Sequence, residues 1–261
     1  EESAAEEGRE PWVARPVFSL SFNGADYTRE GGLEGKLDAM LRGLEERWGN
    51  DWADLSAGPR FQRVIELAHR ATGHRVAVLV DEYDKPLLDA MGDGALLGRN
   101  RAALKAFFSV LKDADDHLRF AFITGVTKFS EVSIFSDLNQ LRDASLSADC
   151  AAICGMTEPE VLSAFGPELA AMAGALGTDR AGCLGALRGR YDGYCFHPGG
   201  PGEGDERKAR CVYNPFSLLN ALAERRLGSW WFESGTPTFL VRRMRDARLD
   251  PRRLADGTIH A

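Results

Sequence analysis

Long apolar runs are missing from this 261-residue sequence, and with them any helix able to cross a bilayer, which needs roughly 20 consecutive apolar residues. The opening stretch, EESAAEEGRE, is acidic where a secretory leader would be basic and then apolar. On both grounds a cytoplasmic protein is the expectation. Cysteine is sparse: five, an odd number, at 150, 154, 183, 195 and 211, without the paired short spacings of a zinc site or a small disulfide scaffold. Reduced thiols are therefore expected, and Cys195 with His197 in YCFHP, which could be called half a metal site, has no second half following and reads as buried or incidental residues. An initiating methionine is also absent, which points to a piece or a processed form of something longer.

Positive charge is scarce over most of the chain. The net charge is −7, yet residues 207–261 carry eleven Lys and Arg against five Asp and Glu, a local +6 that leaves −13 for residues 1–206. Arg242, Arg243, Arg245, Arg248, Arg252 and Arg253 cluster in that basic end. It is the one place a polyanion would meet, and a solvated helix face is the plainer reading.

What is present is enough apolar material for a large core, with 44% hydrophobic residues. PVFSLSFN, residues 16–23, alternates and stops at Asn-Gly, as a short strand ending in a turn does. Leu33, Leu37, Met40, Leu41, Leu44 and Trp48 recur at helical steps, and a second helix with Phe61, Ile65, Ala68 and Ala71 on one side runs to Gly73. The unbroken run VAVLV, residues 76–80, fits a strand covered on both faces. A glycine-containing loop over 92–98, a helix over 102–112 and a buried strand over 118–124 follow. Strands alternating with helices argue for an α/β fold, a three-layer sandwich around a parallel sheet, to which 144–153 would add a further strand. From Thr157 the texture turns helical, opening with a Thr157/Glu160 capping-box pattern. Helices are expected over 179–190, over 215–224 with Pro215 in the first turn, and in PTFLVRRMRD. The stretch HPGGPGEGDERK between them reads as an exposed loop.

Asp81 and Glu82 stand where VAVLV ends. An acidic pair at the carboxyl end of a parallel strand lies where open α/β sheets bind ligands. In nucleoside-triphosphate hydrolases the first acid helps hold Mg²⁺ and the second orients or deprotonates the attacking water. Capping of the next turn is the bland reading of the same pair. Thr124, ending the following strand, suits a polar sensor of the γ-phosphate, and Thr127 and Lys128 just beyond it are candidates to face the phosphates, although a loop Thr and a solvated Lys are the plainer readings of each alone. A phosphate cradle of the form GxxxxGK[ST] does not occur, and GGLEGKL, residues 31–37, has the wrong glycine spacing and Leu37 in place of Ser or Thr.

Longer motifs add a resemblance. GHRVAVLVDEYDKPLL, LKAFFSVLKDADDHLRFAFITGVTKFSEVSIFSDLNQL, YDGYCF, VYNPFSLLNAL and WWFESGTPTFLV occur in this order. Together they resemble the bacterial AAA-ATPase-like proteins that commonly carry a PD-(D/E)XK nuclease-like domain after the ATPase module. The likeness covers about residue 12 to residue 245. It implies a P-loop NTPase-like sandwich over 12–155, followed by a mostly helical, lid-like lobe over 156–261. It further implies that Asp81 and Glu82 are Walker B acids, with Asp81 the metal ligand, and that Thr124 ends the sensor strand. A first strand and a loop of the form RPRRFGKS are expected upstream of Trp12, so the 261 residues alone are expected to be less stable than their parent and inactive. Gly235, Thr236 and Pro237 match a family signature, while Ser234 and Cys195 depart from the usual Thr and His. ATP and Mg²⁺ are the implied cofactors of the parent, and nucleic acid, through an attached nuclease-like domain, and a second copy of the chain are the implied partners. A non-catalytic interaction protein that keeps the fold without nucleotide is the alternative.

Overall fold

The computed structural model describes residues 13–49, 55–126, 134–136, 138, 141–145, 147–196 and 211–230. They fall into two compact units, one ending at Leu141 and the other beginning at Arg142.

In the first unit β1 (Val17–Ser21), β2 (Val76–Asp81) and β3 (Leu118–Ile123) form a parallel sheet in that order. Phe18 lies beside Val78 and Val78 beside Ala121, and one step along Leu20, Val80 and Ile123 share the same row. These residues face a core built by α1 (Gly32–Trp48), α2 (Ala57–Thr72) and α4 (Gly94–Asp113), which contribute Leu37, Phe61, Ile65 and Phe107 among others. Parallel strands need crossovers, and these helices supply them.

The other face of the sheet differs. Val17, Phe120 and Phe122 are 54%, 50% and 44% exposed, because among the described residues the helical layer lies on the opposite side. β3 is therefore a half-buried strand at the edge of the described sheet, where the sequence reads as a strand buried on both faces.

Local chemistry explains the helix ends. Gly31 begins α1 in a left-handed conformation at φ 76°, and a Cβ on Gly32 would lie 2.1 Å from the Asp26 carbonyl oxygen. The paired glycines of GGLEGKL thus form a tight turn into a helix, and Lys36 donates from Nζ to the Asn23 carbonyl at 2.7 Å. α4 starts at Gly94, well before the expected position near Ala102, because the Asp93 carboxylate accepts from the Ala95 and Leu96 amides at 3.0 Å each. That cap offsets the helix-weakening effect of Gly94 and Gly98. A short helix, α3 (Lys85–Asp89), fills the interval after β2.

The second unit is mostly helical: α5 (Glu158–Ala164), α6 (Gly166–Leu176), α7 (Arg180–Tyr191) and α8 (Pro215–Glu224). Val161, Leu169, Met172, Leu187 and Leu218 are among the residues of its core. The Thr157/Glu160 capping box forms as the sequence indicates, and α6 is an additional helix with a Pro in its first turn and Gly177 at its end. Residues 144–153 form no strand where described; a 3₁₀ turn at Ala148–Cys150 stands there instead. β4 (Tyr194–Cys195) and β5 (Cys211–Val212) make a two-stranded antiparallel pair. Their register places Cys195 directly opposite Cys211 at a Cα separation of 4.3 Å, and the two are joined in a disulfide. The expectation of five reduced thiols is corrected by that bond; Cys150, Cys154 and Cys183 are free. The helix expected in PTFLVRRMRD and the basic cluster from Arg242 onward lie outside the described residues.

Candidate functional site

The site stands at the carboxyl ends of β2 and β3, where their ladder runs on past the strands. Thr124 donates its amide to the Val80 carbonyl at 2.8 Å, and Tyr83 donates its amide to the Thr124 carbonyl at 3.1 Å. On the other side of β2, Phe22 donates to the Asp81 carbonyl at 3.0 Å. Asp81 and Thr124 are thereby carried side by side. The Thr124 hydroxyl donates to Asp81 Oδ1 at 2.9 Å and also lies 3.2 Å from the Val80 carbonyl oxygen.

Between Asp81 and Tyr83 the backbone inverts. Glu82 has φ 54°, the left-handed region that a non-glycine residue seldom occupies, at a cost on the order of 1 kcal/mol. The kink takes Glu82 out of the strand's alternation, and the Glu82 carbonyl accepts from Lys85 at 3.1 Å as α3 begins. Two carboxylates that are neighbours in sequence consequently have different surroundings: Asp81 is bonded to Thr124, while Glu82 makes no side-chain hydrogen bond or ion pair among the described residues. The charge of Glu82 is still felt. Tyr27 is buried, donating its hydroxyl to the Phe22 carbonyl at 2.6 Å. Its phenol is pushed up first by burial, then by the negative charges of Asp89 and Glu82.

Two further residues adjoin the candidate site. Asp84 is fully buried, and its Oδ1 accepts from the Val126 amide at 3.2 Å. Gly125 lies so close that a Cβ there would meet Asp84 Oδ1 and the Tyr83 ring at 2.7 Å each. The sequence carried a partial signal for both, since Asp84 belongs to the same DEYD segment and Gly125 follows Thr124 directly. Their mutual contact depends on pairing two strands that are about forty residues apart in the chain. Lys85 is paired with Asp89 at 3.1 Å. Thr127 and Lys128 lie outside the described residues.

No group of three or more His, Cys, Asp and Glu side chains gathers into a metal site among the described residues. The donors at Asp81 are nevertheless hard oxygens, a carboxylate and the Thr124 hydroxyl. That set fits Mg²⁺, which is commonly held by one or two carboxylates together with phosphate oxygens and water.

Against this geometry, a family model described as predicted AAA-ATPase matches residues 4–135, just over half of the chain and all three strands of the sheet. The chain belongs to the AAA-ATPase-like family. An uncharacterized protein from the vnfD 5′ region of Azotobacter chroococcum mcd 1 is 41% identical over 231 residues, spanning 88% of this chain and 41% of that protein. The AAA-ATPase-like chain described here thus covers about two fifths of that relative's length. No solved structure matches it. No described helix is long and apolar enough to cross a membrane.

Proposed function

We propose that this chain supplies the Walker B and sensor portion of a module that binds and hydrolyses ATP. The observation that carries the reading is the Thr124 hydroxyl bonded to Asp81 Oδ1 at 2.9 Å across two adjacent parallel strands, with Glu82 next to them on a left-handed backbone. Asp81 is assigned as the Mg²⁺ ligand. Glu82, left without a protein partner among the described residues, is assigned to orient or deprotonate the attacking water. Thr124 would hold Asp81 in place and sense the terminal phosphate, and Thr127 and Lys128 would face the phosphates from the loop beyond. Mg²⁺, when bound, would neutralise charge on the phosphate oxygens.

The cradle for those phosphates has to come from outside these residues, since the 261 contain no GxxxxGK[ST] loop. The sheet has room for it: β3 is an edge strand of the described sheet, and the face bearing Val17, Phe120 and Phe122 is open. A further strand beside β3 and a second helical layer would complete the three-layer P-loop sandwich. In the full-length protein we assign residues 12–155 to that core and 156–261 to a lid-like lobe. Hydrolysis would switch an attached effector, a nuclease-like domain acting on nucleic acid, in a cytoplasmic setting, and the assembled module would self-associate. The missing cradle also favours one competing reading, an interaction protein that keeps the fold without nucleotide.

The two readings separate on the full-length protein. The ATPase reading expects Mg²⁺-dependent ATP turnover and a raised Mg²⁺ requirement in Asp81→Ala. Absence of ATP binding at millimolar nucleotide would leave the interaction reading standing.

A further inference from the structure

Asp84 is placed unlike any other acid around the site. It is fully buried, and a carboxylate removed from water is costly unless hydrogen bonds meet it. Its position at the start of α3 is that of a helix cap, yet its side chain makes no capping bond there; its backbone carbonyl accepts from Leu87 and Leu88 at 2.9 Å instead. The side chain crosses to the loop after β3, where Oδ1 accepts from the Val126 amide at 3.2 Å.

That bond closes a small clamp. Thr124 is held at its carbonyl by the Tyr83 amide at 3.1 Å, and two residues later Val126 is held at its amide by Asp84. Between them Gly125 packs against both clamping residues so closely that any Cβ would lie 2.7 Å from Asp84 Oδ1 and from the Tyr83 ring. Segment 124–126 is therefore fixed to segment 83–84 by two hydrogen bonds and by a contact so close that a Cβ at Gly125 would displace one of the two clamping side chains. The hydroxyl of Thr124 reaches Asp81, and the inverted backbone of Glu82 immediately precedes the clamp.

We infer that Asp84 is a positioning residue for the acid pair: by anchoring the loop after β3 to the loop after β2, it sets the Thr124–Asp81 contact and holds Glu82 in its left-handed conformation. The inference rests on the ATPase reading for its catalytic consequence, though not for the clamp itself. A buried acid that merely stabilises the core would lower the melting temperature without a selective effect on segment 124–126 or on turnover.

The test uses the full-length protein and two readouts, hydrogen exchange of segment 124–126 measured against β3 itself, and the kinetics of Mg²⁺-ATP turnover. Asp84→Ala should speed exchange at Val126 about tenfold or more relative to β3, the range expected when a hydrogen bond to a charged group is lost. It should lower kcat while leaving KM for ATP nearly unchanged. Asp84→Asn keeps an oxygen acceptor at the same place and should restore most of both properties. Gly125→Ala leaves the carboxylate intact and forces the same two segments apart, so it should reproduce both changes even if Asp84→Ala does not fold. Wild-type exchange at Val126 in folded Asp84→Ala or in Gly125→Ala would overturn the inference, as would fast exchange with unchanged kcat. If the full-length protein hydrolyses no ATP, the ATPase reading fails, and the exchange measurement alone decides for or against the clamp.

Discussion

His69 and His117 meet with Nδ1 atoms 2.9 Å apart, one at the end of α2 and the other in the 3₁₀ turn that leads into β3. At that distance one nitrogen must donate and the other accept, so the contact survives only while at least one ring is neutral. Burial lowers the pKa of His69 first, and the charges of His117, Arg75 and His74 lower it further. A histidine whose folded pKa is depressed binds fewer protons folded than unfolded. Its contribution to stability is present above the ordinary value of 6.5 and is lost progressively as pH falls from there through the lowered folded value. Melting temperature should accordingly drop on acidification below that value, and His117→Ala should flatten the drop; an identical pH profile in the variant would contradict the pairing. At this same scale the acid pair is legible in the sequence, because carboxylates after an unbroken apolar run mark the end of a strand. The left-handed backbone of Glu82 and the burial of Asp84 are not, because both are set by a loop that comes more than forty residues later.

Arg60 is the residue that joins two elements. Its guanidinium donates from Nε to Glu45 Oε1 at 2.7 Å and from the second terminal nitrogen to Glu45 Oε2 at 2.8 Å, and it also reaches Asp38 at 2.8 Å. The Arg60 side chain is 9% exposed and that of Glu45 1%, so α1 and α2 are tied by a desolvated, two-pronged ion pair. Removing one partner strands the other charge in the core. Glu45→Ala should cost about 3 kcal/mol in urea unfolding, at the low end for a buried pair because Asp38 remains. A loss below about 0.5 kcal/mol, ordinary for a surface site, would contradict that account. Helical spacing of apolar residues exposes α1 and α2 in the sequence, but not the acid and base that link them, since polar residues on a helix are ordinarily solvated. The start of α4 is misplaced by the sequence pattern, because Gly94 and Gly98 read as a loop, while the Asp93 cap outweighs them. The Cys195–Cys211 bond lies beyond local reading altogether, because it needs the antiparallel register of two very short strands separated by a glycine-rich stretch.

At the scale of the molecule, the alternation of strands and helices gives the parallel sheet, and the order of long motifs gives the family. The open face could not be foreseen, because an apolar strand reads alike whether or not both its faces are covered. Phe122, 44% exposed, provides a measure of what covers that face in the full-length protein. If the face stays in water, Phe122→Ser should change stability by no more than about 0.5 kcal/mol. A second layer predicts a loss of about 1.5–3 kcal/mol in thermal unfolding of the full-length protein, the value of burying a large apolar side chain. The central claim, that the acids ending β2 are the working end of an ATP-hydrolysing module, has a more direct test. In the full-length protein Glu82→Gln should abolish ATP turnover while Mg²⁺-ATP still binds with near wild-type affinity; turnover unchanged by that substitution would contradict the account.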